Sequence, residues 1–541
     1  MRLWLIRLSF LALLITGVVL FHRSRQSRPL PVIAAAQAKI LLAGNGAEVE
    51  TLDPQLANGV PEHQVATSMF EGLVAPAPED PDKDAPGAAA SWEHKDFTVW
   101  TFHLQPQGKW SDGVPVTAHD FVFAFQRILS PELAADYGQM LYPIVNAEAF
   151  NNGTLKDFGQ VGVKALDDLT LQITLGGPTP FLPGLLKHYS WFAMPKHVIE
   201  KFGGATSRNN TWAKPENIVG NGPFKMKRWR FTQVLEVERN PYYWDAGTVK
   251  LNEIHFFPIV SDATEERAFQ DGQLHLTYLV PLSRISYYRQ TKDPMYRGAA
   301  QLGTYFYRVN VTKPPFNNKL VRRALGLAID RESIINNVTR AGQQAATGLT
   351  PADCSPDYHP PQVAKFDPVE ARRLLAEAGY PDGKGFPTFN ILINTLEMHR
   401  TIAEAIQEMW KTNLNIPVKI INEDWQVYLD TQRKLAYSVC RAAWIGDYVD
   451  PMTFLSTLRS TDGNNSTGWK NQRYDELLNQ SALEIDVRKR FDILSEAENL
   501  MLEEMPVIPI YWYVHTYLVR PELKNLGHSV LEHRCYKALD F

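Results

Sequence analysis

Apolar residues recur along this chain with two spacings, an alternation typical of strands and a three-to-four-residue spacing typical of helices. Short apolar or alternating runs predict strands at residues 39–43, 99–104, 169–175, 234–237, 255–260, 274–279, 304–311, 389–393, 418–421 and 507–513. Longer runs with one apolar face predict helices at residues 62–73, 121–128, 263–271, 318–329, 370–379, 400–414, 428–434, 473–483 and 487–504. Strands that alternate with helices in at least two blocks predict an α/β protein with more than one lobe.

Length and composition narrow the class of protein. A chain of 541 residues predicts about three domains, and its 45% hydrophobic and 21% charged residues are typical of a soluble globular protein. The net charge of -4 argues against nucleic acid or an anionic surface as partner. The three cysteines, Cys354, Cys440 and Cys535, form no close pair and lack metal-ligand spacing, so at least one thiol stays free.

The N-terminal segment is typical of a targeting sequence. Arg2 and Arg7 precede an apolar run at residues 8–21, whose length fits a secretory segment better than a full membrane span. A basic stretch at residues 22–28 follows, and Ala36 and Ala38 have the small-residue spacing of a cleavage site. A cleaved signal peptide and an uncleaved inner-membrane anchor both fit residues 1–38. No cysteine lies near the run, which excludes a bacterial lipoprotein, and we expect an exported, periplasmic protein.

The stretch at residues 441–451 concentrates charged and aromatic residues. Asp447 lies between Trp444 and Tyr448, and Arg441 precedes it by six residues. Asp450 and the proline after it are typical of a helix start, with Asp450 as N-cap. Asp447 comes before that cap, where a helix does not need it. A carboxylate in an aromatic collar suits a ligand ammonium, but a plain turn aspartate fits the local pattern equally well.

Motifs of known catalytic classes are missing from the sequence. Residues 379–384 resemble a phosphate-binding loop, but the glycine spacing is one residue short and no Ser or Thr follows the lysine. There is no Gly-x-Ser-x-Gly, no His-Glu-x-x-His, and no third glycine of a dinucleotide-binding turn. The 14 histidines do not cluster at metal-ligand spacing. We therefore expect neither an enzyme nor a bound cofactor or metal.

Six stretches, taken together and in order, resemble one family. They are residues 51–54, 104–121 with its Lys-Trp-Ser-Asp-Gly core, 221–224, 239–244, 315–331 and 444–448. They look like the large oligopeptide-binding proteins that deliver peptides to bacterial ABC importers, and the resemblance covers nearly everything after residue 40. It implies a two-lobed, venus-flytrap α/β fold with an added third domain. By similarity, lobe I is formed by residues 39–70, 196–302 and 514–541, the added domain by 71–195, and lobe II by 303–513.

The resemblance also implies roles for individual residues. In this family an extended peptide lies between the closed lobes, paired through its backbone, with its side chains in roomy, hydrated pockets. Asp447 matches the residue that binds the peptide ammonium, and Arg441 and His399 match cations that meet the peptide carboxylate. The remaining matches are pocket, backbone or polar contacts: Trp444, Trp425, Tyr137, Tyr278 and Asn464. Core or surface packing remains an equal alternative for His399, Tyr137 and Tyr278.

The chain also departs from the family pattern. Asn58 and Arg308 stand where relatives carry acids, which implies that lysine-rich peptides are disfavoured and neutral or acidic ones accepted. Gly303 and Ile445 stand where relatives carry a disulfide, so the resemblance implies that this bridge is absent. Residues 302–305 and 444–448 are closer to the branch that binds murein peptides.

Three functions of different class follow. The resemblance favours a monomeric peptide-binding subunit that serves an ABC permease, with short peptides, murein peptides among them, as ligands. The same fold also carries other solutes, such as haem, a metal chelate or a bile-type molecule. A peptidase is the third alternative, although the sequence offers no nucleophile–base pair. Asp447 together with Arg441 favours a zwitterionic peptide.

Overall fold

A computed structural model describes residues 31–354, 357–363 and 365–541 of the chain. The apolar run and basic stretch of the predicted signal peptide or anchor lie outside the described residues. Within the described part, no helix has the length and apolarity needed to cross a membrane. Residues 31–37, which belong to the predicted N-terminal segment 1–38, form a helix. Val32 in this helix is buried, and its backbone N–H donates to the Gly272 carbonyl at 3.0 Å.

The described residues contain sixteen strands. In chain order they are β1 Ile40–Gly44, β2 Val74–Pro76, β3 Asp84–Pro86, β4 Ala89–Lys95, β5 Val99–Leu104, β6 Val163–Asp167, β7 Thr170–Thr174, β8 Phe224–Arg230, β9 Val234–Arg239, β10 Glu253–Phe257, β11 Tyr296–Val309, β12 Gln344–Ala345, β13 Phe389–Asn394, β14 Val418–Glu423, β15 Val439–Ile445 and β16 Val507–Leu518. Helices separate most of them, which confirms the predicted α/β class.

The longer helices are Val60–Met69, Ala118–Leu129, Asp262–Gln270, Leu282–Thr291, Lys319–Leu327, Pro368–Glu377, Glu397–Leu414, Trp425–Arg433, Gln472–Leu483 and Val487–Glu504. Shorter ones are Pro31–Gln37, Ala147–Asn151, Leu182–Leu185, Lys196–Ile199, Arg331–Ile334 and Met452–Leu455. Side-chain caps explain several starts. Asn318, Asp367, Asn471 and Asp486 each accept a backbone N–H from the first turn of the helix that follows.

The first sheet has the order β1-β10-β9-β8, with β1 and β10 parallel and the other pairs antiparallel. Its inward-facing residues, such as Leu41, Ile254 and Val237, are almost fully buried. A bridge joins Ala43 of β1 to Leu276, and another joins Leu276 to Val519, directly after β16. The end of β16 therefore extends the edge of this sheet.

The second sheet has six strands in the order β12-β16-β11-β15-β13-β14. The strands β13, β14 and β15 run parallel, and the remaining pairs are antiparallel. Its core contains apolar residues of β13 and β16 packed against the helices Lys319–Leu327 and Glu397–Leu414. This packing holds β15, which carries Arg441, in the interior of the sheet.

A third sheet, order β4-β5-β7-β6, is entirely antiparallel. The helix Ala118–Leu129 packs against it through buried Phe121, Ala124, Phe125 and Ile128. At the start of this helix the Asp120 carboxylate accepts the Thr117 backbone N–H at 2.8 Å, as a capping box requires. The three large sheets lie in the three predicted parts of the chain, although the domain boundaries themselves stay predictions.

Two long strands pass between the parts of the chain. β11 and β16 pair along most of their lengths and cross the predicted boundaries at residues 302–303 and 513–514, with a register shift between Ala300 and Thr304. The C-terminal tail then returns to the start of the chain, where Lys39 Nζ lies 2.7 Å from Asp540 Oδ1. The segment around Lys39 and the C-terminal tail thus lie side by side in the first sheet region.

One predicted strand is wrong, and one predicted helix is too long. The strand predicted at residues 274–279 forms only isolated bridges at Leu276, because this short stretch lies between β1 and the end of β16 without a regular ladder. The helix predicted at residues 62–73 ends at Met69, because the next residues are extended and bond to neighbouring segments instead. The Glu71 backbone N–H donates to Asn221 Oδ1 at 3.0 Å, and the Gly72 carbonyl accepts the Ala88 N–H at 2.8 Å.

Candidate functional site

A cavity of about 670 Å³ lies between the segments that carry the three large sheets. This volume is within the range of roughly 300–1,000 Å³ typical of small-ligand sites. All ten residues proposed from the sequence line it: Asn58, Tyr137, Tyr278, Arg308, His399, Trp425, Arg441, Trp444, Asp447 and Asn464. The structure therefore brings together residues that are up to 406 positions apart, as in the contact between Asn58 and Asn464.

Asp447 stands in the turn after β15 and lines the cavity. Its side chain is 8% exposed, and its backbone N–H donates to Thr453 Oγ1 at 2.8 Å. Burial raises the pKa of Asp447 to about 8, an effect that the Thr453 hydroxyl partly offsets. Asp450, by contrast, accepts the Met452 N–H at 2.9 Å and pairs with Arg490 at 2.6 Å. The short helix starts one residue later than predicted, with Pro451 rather than Asp450 at the N-cap position.

His188 faces Asp447 and was not found from the sequence. Its Nε2 lies 3.4 Å from Asp447 Oδ1, and both side chains are buried. His188 immediately precedes the single helical turn Tyr189–Trp191, far from Asp447 in the chain. The local sequence around it has no metal-ligand or catalytic spacing, so nothing in the pattern marked it.

The aromatic collar around Asp447 differs from the prediction in one member. Trp444 lines the cavity, and the Tyr137 ring lies 6.1 Å from the Trp444 ring. Tyr448 is instead stacked on Phe181, with ring centroids 5.4 Å apart, and lies outside the cavity wall. Consecutive turn residues point in different directions, so Tyr137, from another part of the chain, supplies the second ring.

Arg441 lies on β15 and also lines the cavity. One terminal nitrogen donates to the Tyr513 hydroxyl at 2.9 Å, another donates to Asn394 Oδ1 at 3.3 Å, and the guanidinium lies 4.8 Å from the Tyr305 ring centre. Across the described ranges, no carboxylate lies within 4.0 Å of it. A buried guanidinium with only neutral partners has the charge and the donors that suit an anion.

His399 is close to this guanidinium but is not a second cation in the structure. Its Nδ1 lies 3.3 Å from the Tyr305 hydroxyl. Burial, and next the positive charge of Arg441, lower the pKa of His399 well below its usual value. The neutral ring is thus suited to hydrogen bonding with a carboxylate rather than to an ion pair.

Arg308 is a second buried guanidinium in the cavity wall. It donates to Gln432 Oε1 at 2.8 Å, and no described carboxylate lies within ion-pair distance. On β11 it is the register partner of Cys440, next to Arg441. Gly303 is likewise the register partner of Ile445, at the pair where relatives are expected to carry a disulfide. All three cysteines are buried free thiols.

The remaining predicted residues form the side walls. Asn58 Nδ2 lies 3.5 Å from Asn464 Oδ1, and Asn464 also donates to the Asp136 carbonyl at 3.2 Å. The Trp425 ring lies 5.7 Å from Tyr428 and packs close to Gly59. Tyr278 is half-buried beside the positive-φ residue Gly46, where a side chain would collide with the Tyr278 ring.

Charged contacts cross the mouth of the cavity. The Arg433 guanidinium lies 3.4 Å from Glu50 and 3.2 Å from Asp136. Arg433 ends the helix that follows β14, in the second sheet region. Glu50 follows β1 of the first sheet, and Asp136 follows the helix Ala118–Leu129 that packs on the third sheet. Ion pairs therefore join different parts of the chain beside the cavity.

One group in the described part of the chain has metal-ligand spacing, and none of its members lines the cavity. It consists of Glu236, Glu253 and His255. Arg228 lies 2.6 Å from Glu236, and Lys227 lies 2.5 Å from Glu253. Because these carboxylates are already paired with cations, the group does not fit a metal site.

Comparisons with known proteins agree with this architecture. A sequence model of the bacterial extracellular solute-binding proteins, family 5 Middle, matches residues 85–466. The chain is 37% identical over 498 residues to the periplasmic oligopeptide-binding protein OppA of Salmonella typhimurium, with 90% of each chain covered. It is 35% identical over 488 residues to the periplasmic murein peptide-binding protein MppA of Escherichia coli, with 88% of each covered. These relatives are named as binding proteins, not as enzymes.

Solved structures confirm the two-lobed fold. The crystal structure of Haemophilus influenzae OppA in complex with RPPGFSPFR superposes with a TM-score of 0.88 at 35% identity, over 93% of this chain and 99% of that one. The murein tripeptide binding protein MppA of E. coli gives 0.88 at 33% identity, over 93% and 98%. Its unliganded open form gives only 0.62, over 94% and 98%. The lobes here are thus arranged unlike that open form, and the chain belongs to the bacterial extracellular solute-binding proteins of family 5.

Proposed function

We propose that this protein is the extracytoplasmic solute-binding subunit of an ABC importer, capturing short peptides between its two lobes and delivering them to a permease. One observation carries the proposal. The cavity holds a buried carboxylate, Asp447, and a buried guanidinium, Arg441, and neither is neutralised by a protein ion of opposite charge that is ionised at neutral pH. A zwitterion with separated charges is the solute that satisfies both ends.

The spacing of these two charges limits the length of the ligand. Asp447 lies six positions after Arg441. When the chain between them is extended, their Cα atoms are at most about 20 Å apart. An extended peptide spans about 3.3–3.6 Å per residue, so a separation of about 20 Å corresponds to a ligand of roughly six residues.

The side walls give each proposed contact a physical role. Asp447 pairs with the ligand ammonium, Arg441 with its carboxylate, and neutral His399 donates or accepts a hydrogen bond beside Arg441. Trp444, Trp425, Tyr137 and Tyr278 supply flat walls and exclude water, and Asn58 and Asn464 offer polar groups. Arg308 adds a second positive charge, which favours ligands with an acidic side chain, murein peptides among them.

The non-peptide alternatives are weaker on the same chemistry. A haem or a bile-type molecule carries carboxylates but no ammonium, which leaves Asp447 buried against an apolar group. A peptidase needs a nucleophile and a base in contact at the place where the substrate binds. The Ser190 hydroxyl lies 2.8 Å from Nδ1 of His188, whose Nε2 faces Asp447, but Ser190 is fully buried and does not line the cavity. We propose a binding protein that works as an exported monomer in the periplasm, docking onto its permease.

The test is the chemistry of the ligand. The protein, purified from its host and denatured, should release short peptides that mass spectrometry identifies. In calorimetry, tri-alanine should bind, whereas the N-acetylated and the C-amidated forms should each bind at least a hundredfold more weakly. A preparation that yields haem, a metal chelate or a steroid, and that does not bind any peptide, would refute the proposal.

A further inference from the structure

His188 approaches the proposed ammonium anchor from the opposite wall of the cleft. Its Nε2 lies 3.4 Å from Oδ1 of Asp447, and the two side chains are 5% and 8% exposed. Asp447 follows β15 of the second sheet, whereas His188 belongs to the part of the chain that carries the third sheet. The anchor is therefore built by residues from two parts of the chain that face each other across the cavity.

The hydrogen bonds of His188 fix where its proton is. Its Nδ1 accepts the backbone N–H of Ser190 at 3.3 Å and lies 2.8 Å from the Ser190 hydroxyl. A backbone amide only donates, so Nδ1 carries the lone pair and the proton of the neutral ring is on Nε2. Burial, and next the nearby His63, lower the pKa of His188 well below its usual value, so the ring is neutral at physiological pH. The N–H that faces Asp447 is thus a neutral donor.

Packing holds the ring in this orientation. The His188 ring lies 4.7 Å from that of Tyr137 and 4.0 Å from that of Tyr189. On the other side, Asp447 is bounded by the Thr453 hydroxyl, 3.4 Å from Oδ2, and by the negative charge of Asp462, which raises its pKa further. The His188 N–H is the donor that faces the remaining oxygen.

Building on the proposed function, we propose that His188 is a positioning residue for Asp447. When the carboxylate ionises, the 3.4 Å contact between Nε2–H and Oδ1 shortens to a hydrogen bond that directs Oδ1, while the other lone pairs stay available to the ligand ammonium. Because the donor and the carboxylate lie on different parts of the chain, the complete ammonium site exists only when the cleft is closed. Recognition of a free N-terminus is thereby coupled to closure.

Three variants of the full-length protein test this role. His188→Leu removes the donor at similar volume, His188→Gln keeps an N–H in reach, and His119→Gln alters an exposed histidine of the same region as control. Binding of tri-alanine and of N-acetyl tri-alanine is measured from pH 5 to pH 8, by calorimetry and by ligand-observed NMR respectively. His188→Leu should weaken tri-alanine binding about tenfold at pH 7, because a hydrogen bond to a charged group is lost. The same substitution should raise the pH midpoint of tri-alanine binding by about one unit. The affinity for the acetylated peptide should stay unchanged.

His188→Gln should recover most of the affinity, and His119→Gln should match the wild type. Equal losses for both peptides would reduce His188 to a packing role and overturn the inference, as would unchanged tri-alanine affinity in His188→Leu. Ring nitrogen NMR of the wild-type protein is a check that needs no variant, since a proton on Nδ1 of His188 would also overturn it. If wild-type protein binds both peptides equally, the ammonium site itself is wrong, while failure to bind any peptide refutes the proposed function.

Discussion

Asp447→Asn is the substitution that tests the proposed site most directly. Asparagine keeps the size of the side chain and its contact with Thr453 but removes the charge. Breaking a buried ion pair by removing one partner costs about 3–5 kcal/mol, because the ligand ammonium stays buried without its counter-ion. For a fully ionised carboxylate this is a loss of about 10²- to 10⁴-fold in affinity.

The pKa of Asp447 reduces this loss at neutral pH. With a pKa of about 8, the empty wild-type site is mostly protonated at pH 7 and must release a proton to pair with an ammonium. Ionisation one unit below the pKa costs about 1.4 kcal/mol. The expected loss at pH 7 is therefore about 1.6–3.6 kcal/mol, or roughly ten- to several-hundredfold.

The pH profile follows with a definite sign. Wild-type affinity for tri-alanine should rise about tenfold per pH unit from pH 5 to pH 7, and level off near pH 8, where the ligand α-amino group itself loses its proton. The Asp447→Asn profile should be flat over the same range, so the two curves converge near pH 5. Calorimetry in two buffers of different ionisation enthalpy should detect about one proton released per wild-type binding event at pH 6. Parallel profiles, or no proton release, would refute the assignment of Asp447.

Four further outcomes are expected. Asp447→Asn should stabilise the ligand-free protein by a few kcal/mol at pH 7 but not at pH 4, measured by thermal unfolding. The reason is that the raised pKa costs the wild type stability as pH rises from about 4 to 8. Among Ala-X-Ala tripeptides, wild type should bind X = Glu at least tenfold more tightly than X = Lys at low salt, and Arg308→Glu should reverse this order; equal binding of Lys and Glu would contradict it. Arg433→Gln should speed ligand release a few-fold in stopped flow, an effect lost at 1 M salt, since these ion pairs are about 30% exposed. Small-angle scattering should show a smaller radius of gyration with peptide than in a verified apo sample, and equal radii would contradict closure.

The sequence predicted regular elements well where local chemistry decides them. The helix Val487–Glu504 was predicted with its observed ends, because Asp486 caps it and its apolar face is regular. The strand predicted at residues 274–279 does not form. Its buried residues lie between β1 and the segment after β16 and make single bridges instead of a regular ladder. Which segments become neighbours in the sheet order is set by long-range packing, which local patterns do not record.

For the site, local pattern identified Asp447 and Arg441, and the family resemblance added the other lining residues. His188 and Tyr513 were missed, because each enters the cavity from a distant segment whose own sequence has no unusual spacing. Tyr448 was misplaced for the converse reason, since adjacency in a turn does not fix where a side chain points. The individual roles of the lining residues stay predictions until the variants are measured.

The C-terminal tail packs against the start of the first sheet region, and this arrangement has a consequence for biosynthesis. Lys39 and Asp540 are 501 residues apart, and β16 is an internal strand of the second sheet. At about 5–20 residues per second, a ribosome needs roughly 25–100 s between making β1 and making these last segments. All strands of the first and third sheets have been made by residue 257, but the second sheet lacks its internal strand β16 until residue 518. The nascent chain therefore cannot form a complete peptide-binding cleft until β16 and the tail after it have been made.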